Sequence, residues 1–355
     1  MRIRAITLFV DYDRYGSDLL SIARLFYNES IKSSLSHGIN VWTLRIALSP
    51  VRVEALMDVA SSVKSIPEEI SYIAIPLEGL GVDDVDTIID LLTNTSRIFL
   101  SIHGGEREYS LFIRMLMKLS SNPQLCTRIA FAIDKPMLTP YFPIASSPEG
   151  GFGVASALLY VNDLLNAQDL TRKINDVFLK AYSLVNEVSL KLNAECYGVD
   201  LSLSPWMEES VAVLIERIKG RPFNECGTYK AIFNLNCLIK AVSSQPGCVG
   251  FNEVMLPYAE DSRLMSLGEM GLLNVYDLIS LASVCVAGLD MVVVPYEGLE
   301  DMLWDTYAVL KSKNKPSGVR VIPVRANPGD RVNLGRFGEV PVMMVRNTAG
   351  RCCPC

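Results

Sequence analysis

The sequence predicts an α/β protein, on three observations. Short apolar runs rich in β-branched residues recur from one end of the chain to the other, longer stretches of helical period separate them, and neither an internal repeat nor a low-complexity linker breaks the series. That alternation is the pattern of parallel strands joined by crossover helices. The first run is "IRAITLFV"; a helix is expected after it from about Ser17 to Leu35, and His37 before Gly38 marks a helix end. "INVWTLRIAL" comes next, with a helix expected to start near Val51. "SYIAIP", "SRIFLSI", "TRIAFAI" and "GVASALLYV" continue the series. A long helix from about Gln168 to Leu192 follows, with Leu170, Ile174, Val177, Ala181, Val185 and Val188 at spacings of three and four. "YGVDLSLS", "LDMVVVP" and "GVRVIPV" bring the count to at least nine strands. So many strands point to a large closed barrel or to two sheets. The Pro and Gly residues between 134 and 153 read as an ordered loop, and residues 1–355 as a single domain with a short Cys-rich tail, 347–355.

Half of the 355 residues are hydrophobic and only 20% are charged, which suits a large buried core and excludes disorder. The net charge of -6 and a pI near 5.2 lack the basic footprint that phosphate backbones require, so no nucleic-acid partner is expected. In the opening "MRIRAITLFVDYD", Asp11 and Asp13 end the apolar run too early for a signal peptide or a membrane span. A cytosolic protein with a small-molecule ligand and no membrane partner is therefore expected. Nine cysteines are an odd number in a chain without a secretory signal, so most are expected as reduced thiols. Only three glutamines (Gln124, Gln168, Gln245) suit a thermophile, while the modest charge content does not.

The most informative stretch is "ECGTYKAIFNLNCLIKAV". Ile232, Leu235, Ile239 and Val242 mark one face of a helix, Thr228 is a suitable N-cap, and Gly227 frees the backbone before it. Cys226 then sits at a helix N-terminus, where unpaired N–H groups favour an anion. The thiol is a candidate nucleophile or acid/base with Glu225 beside it, or the same N–H groups hold a substrate carboxylate or phosphate. The bland alternative is a small cysteine in a tight turn. In "GVDLSLSP", strand alternation puts Val199, Leu201 and Leu203 on one face and Asp200, Ser202 and Ser204 on the other. That polar column points into a barrel lumen or toward its C-terminal mouth, with Asp200 a candidate catalytic group and Ser202 a ligand contact. Ser204 followed by Pro205 also reads as a helix start. Further on, Glu253, Glu260 and Asp261 flank a Pro-containing loop; Glu260 and Asp261 are candidate ligand contacts, and Asp261 with Ser262 could instead cap the next helix. Asn274 caps a helix whose buried face carries Cys285, and Asp290 at the following strand start is equally structural. His103 in "SIHGGERE" ends a strand before two glycines, where ligand-binding residues occur. "GGFGVAS" lacks the third glycine and the preceding strand of a dinucleotide loop. The two histidines are too few for a His-rich metal site, and the sequence leaves any cofactor unknown.

"VDLSLSP", "ECGTYKAIFNLN", "LPYAEDSRLM", "SVCVAGLDMVVVP" and "VRVIPVRANPGDRVNLGRFGEVPVM", in this order, resemble domain-of-unknown-function family 711, also called uncharacterised protein family 0210, strongest from Gly198 to Met343. The resemblance implies a ten-stranded α/β barrel similar to that of glycyl radical enzymes such as pyruvate formate-lyase, with a hairpin loop reaching into its middle, and a homodimer. It names no reaction. Many members carry histidine where this chain has Cys226, which bears against a role that needs a thiol there. "RVNLGRFG" follows Gly335 with Arg336 rather than with an aromatic residue, so no glycyl radical is expected.

The expectation is thus an enzyme of unknown reaction acting on a small anionic or carbonyl metabolite. Its cavity would be lined by Asp200, Ser202, Glu225, Cys226, Thr228 and Glu260, with Gly227 and Asp261 also candidate ligand contacts. A non-catalytic binding protein on the same fold is the alternative. The third reading is a thiol redox protein using Cys352 and Cys355 of "RCCPC", whose three thiols fall short of the four ligands of structural zinc.

Overall fold

A computed structural model describes residues 1–286 and 288–346, so the Cys352 and Cys355 reading lies outside the described residues. Ten strands form the central sheet: β1 (Arg2–Val10), β2 (Val41–Leu48), β3 (Val51–Arg52), β4 (Ile70–Glu78), β5 (Ile98–Gly104), β6 (Ile129–Ile133), β7 (Phe152–Leu159), β8 (Glu195–Asp200), β9 (Asp290–Pro295) and β10 (Gly318–Val324). Their order is β8-β7-β1-β2-β4-β5-β6-β10-β9, with β3 paired to β4 off this path. The strands β1, β2, β4, β5 and β6 run parallel, as crossover helices require. Antiparallel junctions at β1/β7 and β6/β10 then flank that run, and beyond them β7 pairs β8 and β10 pairs β9 in parallel. Two further strands, β11 (Arg331–Asn333) and β12 (Glu339–Pro341), form a separate antiparallel hairpin.

No β8–β9 ladder closes the sheet among the described residues, which corrects the expected closed barrel. The segment 247–256 lies along β8 instead, touching it only at the isolated bridges Val199–Cys248 and Leu203–Val254. Its far side reaches the approach to β9, where the Val286 N–H donates to the Val254 carbonyl at 3.1 Å. Gly247, Gly250 and Asn252 all have positive φ in this segment, which bends the backbone away from the extended form that a continuous ladder needs.

The two faces of the sheet differ in side-chain size. Ile6, Leu8, Ile46, Ile73, Ile75, Leu100 and Ile102 pack with the helices in the main core. The opposite face carries Ala5, Ala47, Ala74, Ala130, Ala132, Ala155 and Ala157. Small residues there leave room for the loop between β6 and β7, whose Leu138, Tyr141, Phe142 and Ile144 fill the space they leave. The ordered loop expected from 134 to 153 is therefore interior packing rather than a surface excursion.

Helices match the expected pattern where the period is long. Leu19–His37 ends on Gly38 at φ 62°, and Leu170–Leu192 begins on Asp169, whose side chain accepts from the Arg172 N–H. Near Val51 the chain instead adds the short strand β3 before the helix Leu56–Val63. Nor does a helix start at Ser204-Pro205. The next helix, Val211–Lys219, is capped by Ser210, and the Ser204 hydroxyl faces inward, donating to the Leu158 carbonyl at 3.0 Å.

Candidate functional site

The alanine-lined face opens at one end into a cavity of about 70 Å³. Arg4 of β1, Arg45 of β2, Tyr72 of β4, Phe99 of β5 and Ala130 of β6 line it from the parallel run, and Arg320 of β10 and Asp290 of β9 from the other side. Arg4, Tyr72, Phe99 and Ala130 stand within the first three residues of their strands. The cavity therefore lies at the N-terminal ends of the parallel strands. Phe142, Pro143 and Ile144 of the inserted loop form its inner wall, and Arg336 from the β11–β12 turn reaches it from outside.

Charge is concentrated on this cavity. Glu260 accepts from Arg4 and, at 3.0 Å, from Arg320. Asp290 takes the other edge of Arg320 through two hydrogen bonds of 2.6 and 3.1 Å. A bidentate guanidinium–carboxylate fork of this kind is the strong form of the pair. Burial pushes the Glu260 carboxyl up, but Arg4, Arg320 and Arg336 together outweigh it and hold it below its ordinary value. Arg4 is pinned further by the Pro205 carbonyl at 2.7 Å and lies over the Trp42 and Trp206 rings.

Arg45 differs from Arg4 and Arg320. It is 6% exposed, and among the described residues its one side-chain hydrogen bond runs from Nε to the Thr43 hydroxyl at 2.9 Å. Its guanidinium lies 5.1 Å from the Phe142 ring centre and 5.5 Å from that of Tyr72, with no carboxylate at ion-pair distance among the described residues. Burial first, then the repulsion of Arg4 and Arg336, pushes it down to about 9, so it remains a cation at neutral pH. Arg336 likewise has no carboxylate partner among the described residues; it stacks on Tyr72 at 4.7 Å and donates to the Tyr72 hydroxyl. Four guanidinium groups thus face two carboxylates, leaving two cations in excess.

The residues expected to share one cavity separate into different environments. Asp200 and Ser202 do lie on the face opposite Val199, Leu201 and Leu203, which pack into the main core. Asp200 is fully buried and its two oxygens accept five hydrogen bonds: from the Ser202 N–H (2.9 Å) and hydroxyl (2.6 Å), the Phe251 N–H (2.9 Å), the Asn252 N–H (3.1 Å) and the Thr139 hydroxyl (3.3 Å). It ties β8, the 247–256 segment and the inserted loop together. Burial raises its pKa even against those donors. A Cβ at Gly250, where φ is +82°, would stand 2.1 Å from its Oδ2. Asp261, also fully buried, caps two helices: it accepts from the Arg263 and Leu264 N–H groups of the following helix, and from the Ser210 hydroxyl and the Ala212 N–H of another. Its capping alternative is the one seen, and burial raises its pKa too. Of the expected ligand contacts, Glu260 alone lines the cavity.

Glu225, Cys226, Gly227 and Thr228 lie elsewhere, in a surface groove of about 400 Å³ with Tyr229, Leu272 and Asp277. Cys226 is exposed there. Gly227 at φ 105° is the helix cap, not Thr228. The Thr228 hydroxyl turns back on the loop, 2.5 Å from the Phe223 carbonyl, and accepts from Lys219 at 2.6 Å, so it knits the turn before the helix. His103 is buried with neither ring nitrogen partnered among the described residues, and desolvation lowers it to about 4, so it is neutral at ordinary pH.

Sequence reading missed Arg4, Arg45, Arg320 and Arg336, and weighed Asp290 only as structural. The one available signal was faint: a lone arginine within an otherwise apolar strand, in "IRAITLFV", "WTLRIAL" and "GVRVIPV". Among the described residues, no group of three or more His, Cys, Asp or Glu could hold a metal ion, and no helix is long and apolar enough to cross a membrane.

Comparison with known proteins adds relatives without a stated activity. A UPF0210 protein of Methanopyrus kandleri is 26% identical, the match covering 87% of this chain and 80% of that protein. One from Pyrobaculum aerophilum is 27% identical, covering 89% and 81%. One from Lactobacillus delbrueckii subsp. bulgaricus is 34% identical over a shorter stretch, 45% of this chain and 38% of that protein. The family model described as Uncharacterised ACR (DUF711) matches residues 1–335, and the chain belongs to that family.

Proposed function

We propose that the protein binds a small anionic metabolite in the cavity at the strand N-termini, with Arg45 receiving the negative charge. The observation that carries this reading is the buried Arg45 guanidinium, whose terminal nitrogens have no protein partner among the described residues. A buried cation without a counter-charge costs stability unless something pairs with it. Arg4 and Arg320 are already satisfied by Glu260 and Asp290 and so hold the site in shape. Phe99, Phe142, Ile144 and Met255 supply apolar walls, the usual construction of a pocket that orients a ligand by a few polar groups. Among the described residues no cysteine or histidine lines the cavity, so the proposal involves no thiol or imidazole group.

The finer fold reading is a barrel with one irregular seam, similar in kind to the pyruvate formate-lyase-like barrels. Its support is that β1, β2, β4, β5, β6, β9 and β10 all contribute to one cavity, with a loop inserted among them.

The binding reading is tested by calorimetric titration of the full chain with acetate, propionate, succinate and phosphate. At least one should bind, and Arg45→Met should weaken it by roughly tenfold or more, the worth of one charge-assisted contact. Equal affinity in Arg45→Met would overturn the proposal.

A further inference from the structure

Resting on that reading, we infer that the ligand is a dianion spanning Arg45 at the inner end of the cavity and Arg336 at its mouth, and that Arg336 sets the preference for two charges over one. Charge counting is the first support. Arg4 and Arg320 are neutralised by Glu260 and Asp290, which leaves two cations in excess, and a monoanion would leave one of them unpaired. The second support is position. Arg45 and Arg336 both lie against the Tyr72 ring, at 5.5 and 4.7 Å, so both cations stand beside one aromatic side chain, close enough for one small molecule to reach both. Between them the walls are apolar, from Phe99, Phe142 and Ile144, which suits a short hydrocarbon spacer rather than a hydroxylated one. A volume of about 70 Å³ admits only a small molecule, a few water-sized groups across.

Arg336 also comes from a different part of the fold than the rest of the site. It stands on the turn Gly335–Phe337 of the β11–β12 hairpin, outside the central sheet. That hairpin is braced by the Arg331–Glu269 ion pair, whose shortest N–O distance is 2.7 Å, and the Phe337 ring stands 5.7 Å from that of Trp206. The inner cation therefore belongs to the sheet and the outer one to the hairpin, so the two can be removed separately.

The test uses length-matched acids on the full chain: succinate against butyrate and malonate against propionate, by calorimetry at low salt. The wild type should prefer the diacid of a pair by roughly tenfold or more. Arg336→Gln should bring the two affinities together while the monoacid still binds, and Arg336→Lys should restore part of the preference. Arg45→Met should weaken diacid and monoacid alike. If diacid and monoacid bind the wild type equally, or if Arg336→Gln leaves a preference untouched, the dianion inference is overturned while anion binding at Arg45 stands. If no acid binds, or Arg45→Met changes neither, the underlying reading fails. Circular dichroism of each variant checks its fold, and Arg45→Lys serves where Arg45→Met does not fold.

Discussion

Glu260 and Asp261 are neighbours in the chain and both buried, yet they belong to opposite kinds of site. Asp261 is surrounded by N–H and hydroxyl donors, all from protein, and holds two helix starts in register. Glu260 is surrounded by arginines in a cluster whose charges do not cancel. The region around Asp200 follows Asp261, with five donors on one carboxylate. What separates the two regions is saturation. A buried polar group whose partners all come from protein is structure, whereas a buried charge left without a partner implies something still to bind.

The largest expected effect comes from removing one member of the charged cluster. Glu260→Ala leaves Arg4 unpaired and Arg320 half-paired in the interior and should destabilise the protein by about 3–5 kcal/mol in urea denaturation. Asp200→Ala strands the Phe251 and Asn252 N–H groups and should cost about 3 kcal/mol. If Asp200 is only a clamp, the affinity of the folded variant for small acids should match the wild type; a selective loss of binding would move Asp200 into the site.

The pH dependence of stability should separate the same two groups, with opposite signs. The Glu260 pKa is lowered on folding, so its contribution is fully present above the ordinary carboxylate value of about 4.3 and lost as pH falls through its folded value. The Asp200 pKa is raised by burial, so its burial penalty is relieved as pH falls through that elevated value, which lies above the ordinary aspartate value of about 3.9. In denaturation series across pH, Glu260→Gln should flatten the limb below about 4 and Asp200→Asn only the limb above it. Identical changes in both variants would erase the distinction.

A smaller effect is expected at Arg45. Arg45→Met removes an unpaired buried cation, so stability should stay within about 1 kcal/mol of wild type or rise, even as anion binding is lost. A drop of several kcal/mol would mean that Arg45 is a structural member of the cluster. Smallest of all, Cys226→Ser at the exposed helix start should alter neither the melting temperature nor the affinity for small acids. A change in either would return the groove at Cys226 to consideration.

Much of the architecture was legible because periodicity is local. The nine principal strand runs, the helix Leu170–Leu192, the cap at Asn274 and the inward column of Asp200, Ser202 and Ser204 all follow from spacing along the chain. The site was less legible. Glu225, Cys226 and Thr228 attracted attention through the local chemistry of a helix start, but a helix start binds nothing unless the fold brings a cavity to it, and this one opens on a surface groove. Arg45 attracted none, because a single arginine in a strand carries no motif.

The sequence by itself determined the α/β class, most of the strand and helix positions and which side chains share a face, since these depend on neighbours within a few residues. Only the tertiary structure decided that Arg4, Arg45, Arg320 and Arg336, spread over more than 300 residues, meet around Glu260 and Asp290. It also decided that an irregular segment, rather than a regular strand, runs along the edge strand β8. Charge balance and closure are sums over contacts distant in sequence, and no local pattern records them.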